Sequence, residues 1–178
     1  MEVTPEIATP VFAAVATDTG WYRFPSVDGG TYRLAARLVD SGASLTGIYG
    51  DLYERDTAGR VRLRGTILSR SKTELDGRLV HTYALKEDFE TTGALPSDTE
   101  DVINLTMAIA GTEVAVILVG QLEGGFKLSF RSRCDIDCSK LAEHFKGGGH
   151  KAAAGAFIEE PFEVAQEKVL SHVRSQMA

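Results

Sequence analysis

Cysteine is scarce in this chain of 178 residues: Cys134 and Cys138 are the only two. Two cysteines make no disulfide framework, so the fold must rest on an ordinary packed core. Long apolar runs are missing as well. No segment approaches the roughly 18 continuous apolar residues of a membrane span, and none is expected. The opening stretch MEVTPEIATP carries two glutamates and no basic residue. It does not read as a secretory signal, and a cytoplasmic protein without membrane partners is expected. An excess of positive charge is also absent. The net charge of −6 excludes a uniformly basic nucleic-acid binder. No internal repeat or low-complexity segment is visible. What remains is 43% apolar and 25% charged, the composition of one globular domain or two small ones.

The charge is unevenly spread. Residues 126–151 hold six Lys/Arg against three Asp/Glu, whereas residues 85–105 hold one lysine against six acids. An anionic ligand is drawn to the first region and repelled by the second.

The pattern of elements is mixed. Pro10 suits an early helical position, and Val11–Ala16 is small and apolar, compatible with a helix or a buried strand. TDTGWYRFP is a turn-rich loop. GTYRLAARLVDSGAS has helical spacing, with Gly42 as its stop, and a second short helix follows Ser44 as N-cap. Residues 57–73 hold five basic residues and no acid; they read as a connecting segment, with a domain boundary near Ser71. DGRLVHTYALK is a strand after an Asp-Gly turn. Ser97, with Glu100 three residues on, is a capping signature for a helix running to Gly111. TEVAVILVGQLEGGFKLSFRSR is a hairpin about EGG. Asp137 caps the helix DCSKLAEHFK, with Gly147 as its stop. A short strand, AAAGAFIEE, and a closing helix after Pro161 complete the chain. The second half therefore combines a sheet with packed helices, an α/β (α+β) arrangement.

Three glycines precede His150 in GGGHK. One glycine can end a helix, but three in succession can also bare backbone N–H groups to an anion. His150 adds a hydrogen-bonding ring and Lys151 a charge. In KLSFRSR, Arg131 and Arg133 are two apart and share a strand face, and arginine is the side chain best suited to bidentate phosphate recognition. Cys134, Cys138, His144 and His150 suggest a zinc site, but only five residues separate the Cys and His pairs, and Asp137–Phe145 is better used as a capped helix.

Taken together, KLSFRSRCDIDCSKLAEHFKGGGHKAAAGAFIEEP resembles the DHH-associated C-terminal domain of the DHH phosphoesterases. It is most similar to the bacterial nanoRNase, oligoribonuclease and phosphoadenosine-phosphate phosphatase group. The resemblance implies that Arg131, Arg133, Gly148, Gly149 and His150 bind the substrate. FAAVATDTGWYRFP resembles the last block of the catalytic DHH domain, which implies that Asp18 is a ligand of a two-manganese centre. The implied architecture is a C-terminal remnant of the catalytic domain over residues 1–70, followed by a small mixed-sheet substrate-binding domain over residues 71–178. The implied substrates are short RNA or DNA oligonucleotides and 3′-phosphorylated mononucleotides.

The chain departs from that family in one large respect. No Asp-His-His string occurs, and the four histidines, His81, His144, His150 and His172, all lie in the second half. One carboxylate cannot hold two divalent cations against water, because each needs several ligands. Substrate recognition without hydrolysis is therefore expected of this chain alone, whether as part of an enzyme or as a stand-alone nucleotide- or RNA-binding module. The apolar face with Val11, Phe12, Val15 and Trp21 is expected to lose its partners and to be exposed, disordered or self-associating, which would make a homo-oligomer.

Overall fold

The computed structural model describes residues 3–178. They divide into two compact units, the first ending at Asp56 and the second starting at Thr57.

The first unit is helical. Helix α1 (Pro5–Asp18) starts on Pro5, so Pro10 lies inside it rather than at its start. A proline there cannot donate to the carbonyl of Glu6, so the turn is held instead by packing. Ala8, Phe12 and Ala16 recur at a four-residue spacing and bury one stripe of α1. They pack against Leu38 of α2 (Gly29–Asp40) and Ile48 of α3 (Leu45–Tyr53). Asp28 caps α2 by accepting from the Thr31 N–H at 2.9 Å, and Gly42, at φ +93°, follows its end. Ser44 caps α3 as the sequence indicates. Phe12, expected among unpartnered residues, is only 2% exposed; Val11 on the opposite stripe is exposed.

The second unit is built on a six-stranded sheet in the order β1-β2-β3-β4-β6-β5. Its first element is α4 (Ala58–Ser69), the segment read from the sequence as a connector. Leu63 and Ile67 are fully buried, and the Thr82 hydroxyl donates to the Ile67 carbonyl at 2.5 Å. The unit boundary thus falls ahead of α4 and not near Ser71. Strands β1 (Lys72–Glu74) and β2 (Leu79–Ala84) form a hairpin whose turn places Leu75, Asp76 and Gly77 at positive φ. A helix α5 (Lys86–Thr92) follows, and then a 3-10 turn at Pro96–Thr99 and the short α6 (Val102–Thr106). The single helix expected from Ser97 to Gly111 is broken there. Asp98 turns back to accept from the Leu95 N–H at 2.8 Å, and Arg60 of α4 sits 3.6 Å from Asp101. A competing local turn at Leu95 and a tertiary partner for Asp101 outweigh the capping signal.

Strand β3 (Val114–Gly120) is parallel to β2 and buried along its length. Strand β4 (Phe126–Ser132) returns antiparallel through a turn with Gly124 and Gly125 at positive φ. Helix α7 (Cys138–Glu143), strand β5 (Gly148–His150), strand β6 (Ala153–Ile158) and helix α8 (Phe162–Met177) complete the chain. One sheet face is covered by α7 and α8 over Val116, Leu118, Leu128, Phe130 and Ala154. The other face is covered by α4, α5 and α6, mainly over β2 and β3 through Ala84, Ala115, Ile117 and Val119, with α6 also reaching β4.

Candidate functional site

The uncovered part of that second face lies over β4, β6 and β5. The ladder registers decide which side chains stand on it, because directly opposed residues share a face. Arg131 opposes Ala115 on one side and Ala153 on the other, and Ala153 opposes His150. Ser129 opposes Ile117 and Gly155, and Gly155 opposes Gly148. Lys127 opposes Val119 and Phe157. Ala115, Ile117 and Val119 face the α4 side, so Arg131, His150, Ser129, Gly148, Lys127 and Phe157 all stand on this face too. Its floor is small: Ala153, Gly155 and Gly148. Arg131 and His150 flank that floor two strand spacings apart, about 10 Å between backbones.

The chain segments that define this face are tied together. The Cys138 N–H at the start of α7 donates to the Lys151 carbonyl at 2.9 Å, and the Ser132 N–H at the end of β4 donates to the Ala152 carbonyl at 3.0 Å. Asp137 caps α7 by accepting from the Ser139 N–H at 2.9 Å. The arginine strand, the aspartate cap and the glycine-histidine segment therefore meet at one corner of the sheet.

The three glycines have three different reasons. The turn that closes helix α7 has its left-handed residue at Lys146, φ +59°, rather than at Gly147. The Lys146 N–H donates to the Glu143 carbonyl and the Gly147 N–H to the Ala142 carbonyl, the paired bonds of a Schellman turn. Gly147 is required sterically, since a Cβ there would lie 2.2 Å from the Gly155 carbonyl oxygen. Gly149 has φ +150°, and its Cβ would lie 2.6 Å from Ala154 Cα, so it faces the packed side of the sheet. Gly148 is different. A Cβ there would meet nothing within 4 Å, and its φ is not positive. Neither backbone nor packing accounts for it; its effect is to keep the open face flat beside His150. The segment is an edge strand and not a loop, so its N–H groups alternate in direction and do not converge into an anion cup.

Of the residues read from the sequence, the fold gathers Arg131, Gly148 and His150 on one accessible face. Arg133 lies just past β4, and its guanidinium donates to the Met107 carbonyl at the end of α6, so it closes a helix end. Gly149 supports the strand from behind. Lys151 lies 3.5 Å from Asp135 in an exposed ion pair of little energetic weight. Lys127, Ser129 and Phe157 were not singled out, although the alternation in FKLSFRS places Lys127 and Ser129 beside Arg131.

Asp18 belongs to the first unit. It is the last residue of α1, exposed, and makes no hydrogen bond or ion pair with a described residue. A carboxylate at a helix C-terminus opposes the macrodipole, so local stability does not explain it. The Thr17 and Thr19 hydroxyls supply that end with donors, Thr19 to the Val15 carbonyl at 2.7 Å and Thr17 to the Ala13 carbonyl at 2.9 Å. Among the described residues, no three His, Cys, Asp or Glu side chains come together as a metal site. The residues around Asp18 do not by themselves fit a manganese pair.

Comparison with known proteins supplies the rest. The family model described as the DHHA1 domain matches residues 79–178. The chain is 36% identical to the bifunctional oligoribonuclease and PAP phosphatase NrnA of Thermus thermophilus, over 99% of this chain and 53% of that protein. It is 26% identical to the protein of the same name from Bacillus subtilis, over 88% of this chain and 49% of that one. The chain thus spans about half the length of the curated relatives it matches. A solved structure, an exopolyphosphatase-related protein from Bacteroides fragilis, superposes with a TM-score of 0.86 at 25% identity, over 97% of this chain and 50% of that one. Among the described residues no helix is long and apolar enough to cross a membrane.

Proposed function

Because this chain belongs to the DHHA1 domain family, we propose that its second unit holds the phosphate of a short oligonucleotide or a 3′-phosphorylated nucleotide on the open face of the sheet. Its relatives are phosphoesterases by name, and the reading extends their substrate class to this chain. The observation that carries it is Gly148: the one glycine of the three that no packing or backbone constraint explains, set beside Arg131 and His150 on one face. Arg131 supplies a planar fork for the phosphate, and His150 a second donor from the other side. Lys127 and Phe157 continue the face along the strand, one offering charge and the other a ring for a base. Asp18 is proposed as one ligand of a manganese site in the complete enzyme. The remaining ligands must come from outside the described residues, so this chain alone is proposed to bind without turnover. A stand-alone binding module is the second reading, favoured by the lack of a ligand cluster around Asp18 among the described residues.

The test is a binding titration with a 5′-phosphorylated dinucleotide, followed by a Mn²⁺-dependent cleavage assay on the same chain. Gly148→Leu, Arg131→Gln and His150→Ala should each weaken binding about tenfold or more, with Gly148→Leu keeping the wild-type melting temperature. Wild-type binding by Gly148→Leu would remove the open face from consideration. Turnover by the chain that vanishes in Asp18→Ala would overturn the incomplete metal site.

A further inference from the structure

The chain has one tryptophan, Trp21, and the backbone that presents it is strained. Gly20, Trp21 and Tyr22 follow one another at φ +57°, +56° and +61°. Glycine adopts that region freely; two successive aromatic residues do so only when their surroundings over-determine them. Here the surroundings do. The Trp21 N–H donates to the Ala16 carbonyl at 2.6 Å, the Tyr22 N–H to Thr19 Oγ1 at 3.1 Å, and the Arg23 and Phe24 N–H groups to the Thr19 carbonyl.

This turn sets Trp21 against α3. Its Nε1–H donates to Tyr53 Oη at 2.8 Å, and its ring meets Tyr49 edge-on at 5.3 Å between centroids. Tyr49 and Tyr53 lie one helical turn apart, with centroids 5.1 Å apart. Both remain nearly half exposed. Arg23 is the fourth member. Its Nε–H donates to the Gly20 carbonyl at 2.7 Å, which orients the guanidinium and leaves its other nitrogens without a partner among the described residues. The four side chains line a cavity of about 290 Å³.

Three aromatic rings without a charge would suit a quaternary ammonium group. Arg23 argues against that, because it places a like charge at the mouth. A guanidinium beside aromatic faces suits a planar ligand with an attached anion: the base stacks and the phosphate meets the fork. We propose that Trp21, Arg23, Tyr49 and Tyr53 form a nucleotide-binding site in the first unit, with a nucleobase among the rings and its phosphate on Arg23. The site does not rest on the open face of the second unit, and the two stand or fall separately.

Trp21 is its own reporter. The full chain is titrated with adenosine monophosphate while tryptophan emission is followed, with ribose 5-phosphate and choline as controls. Saturable quenching by the nucleotide, with none by either control, is the expected result. Tyr49→Leu keeps the apolar volume and suits a helix; it should weaken the nucleotide about tenfold while leaving the melting temperature in place. Arg23→Gln should narrow the difference in affinity between the monophosphate and adenosine at least threefold. The same titration on the Arg131→Gln/His150→Ala double variant separates the two sites: retained quenching supports this one. Quenching lost in that variant would assign the signal to the open face and overturn this proposal alone. Quenching by choline, or none by the nucleotide, would overturn it as well.

Discussion

The two units differ in how they spend their apolar side chains. Among its described residues, the first gathers six buried apolar residues, Phe12 the largest of them, but leaves eleven large ones exposed, from Val3 to Tyr53. The second, more than twice as long, leaves seven exposed and packs helices on both faces of its sheet, one of them only in part. The contrast follows from architecture. A strand such as Val114–Gly120 can be buried on both sides at once, whereas each of three short helices buries one stripe and shows the other. Stability should therefore be uneven along the chain, low where burial is thin and high at the sheet.

The sharpest break of this comparison is a two-probe denaturation. Trp21 reports the first unit and sheet circular dichroism reports the second. Phe130, fully buried between α7 and the sheet, is the test residue. Phe130→Ala should cost about 3–5 kcal/mol and lower the sheet midpoint while the Trp21 midpoint holds. Coincident midpoints that move together would mean a single cooperative unit and would end the distinction.

The next largest effect concerns α4. Asp88 in α5 is paired with both terminal nitrogens of Arg70 and accepts from the Leu85 N–H at 2.7 Å. Burial works to raise its carboxyl, but these hydrogen bonds win and hold it below its ordinary value. Asp88→Asn removes the charge from a largely buried pair and should cost about 2 kcal/mol. Hydrogen exchange should show the loss in α4 and α5 amides and not in α1. Unchanged protection in α4 would return that helix to the role of connector.

A smaller effect is set by pH. His81 is buried, with its Nε2 3.0 Å from Glu74 Oε1 and its Nδ1 without a partner. Burial lowers its pKa, against the pull of Glu74. His172 is lowered by burial and by His144, whose ring stacks on it at 3.9 Å. Both folded values lie below the ordinary 6.5. Above that pH neither state binds the proton and nothing is lost. As pH falls through 6.5 the unfolded chain takes protons that the folded chain refuses, so stability declines until the folded values are passed. Melting temperature should fall between pH 7.5 and 5.5, and His172→Phe should flatten part of that slope. The slope should belong to the sheet probe and not to Trp21, because the first unit has no histidine.

Much of this was legible in the residues. The β3–β4 hairpin, the Asp137 and Ser44 caps, the Gly42 stop and the closing helix after Pro161 all carry local chemistry strong enough to be read. What was not legible depended on distant partners. Residues 57–73 read as a connector because their charge hides Leu63 and Ile67, which are buried by the sheet together with Phe89 of α5 and Val102 and Ile103 of α6. Residues 97–111 carried a good capping signature that Arg60 and the Leu95 turn overrode. At the site, residue types were readable but their division of labour was not. Gly149 differs from Gly148 only in which face of the sheet it occupies, and register fixes that; Arg133 shares a face with Arg131 but lies past the end of β4, where the Met107 carbonyl takes its guanidinium.

The smallest predicted effect tests the end of α7. Lys146 holds the left-handed position of the Schellman turn, where glycine is the favoured residue. The conformation costs an L side chain about 1 kcal/mol, and glycine would recover it. Glycine also loosens the unfolded chain, which takes back part of that gain. Lys146→Gly should therefore raise stability by only about 0.5 kcal/mol, read as a small rise in the sheet midpoint with the Trp21 midpoint fixed. The same substitution at Gly147 in reverse, to alanine, should lower that midpoint, because its Cβ would strike the Gly155 carbonyl. If Lys146→Gly destabilises instead, the lysine side chain is holding the corner of the sheet where His150 stands. The open face would then depend on a residue outside it.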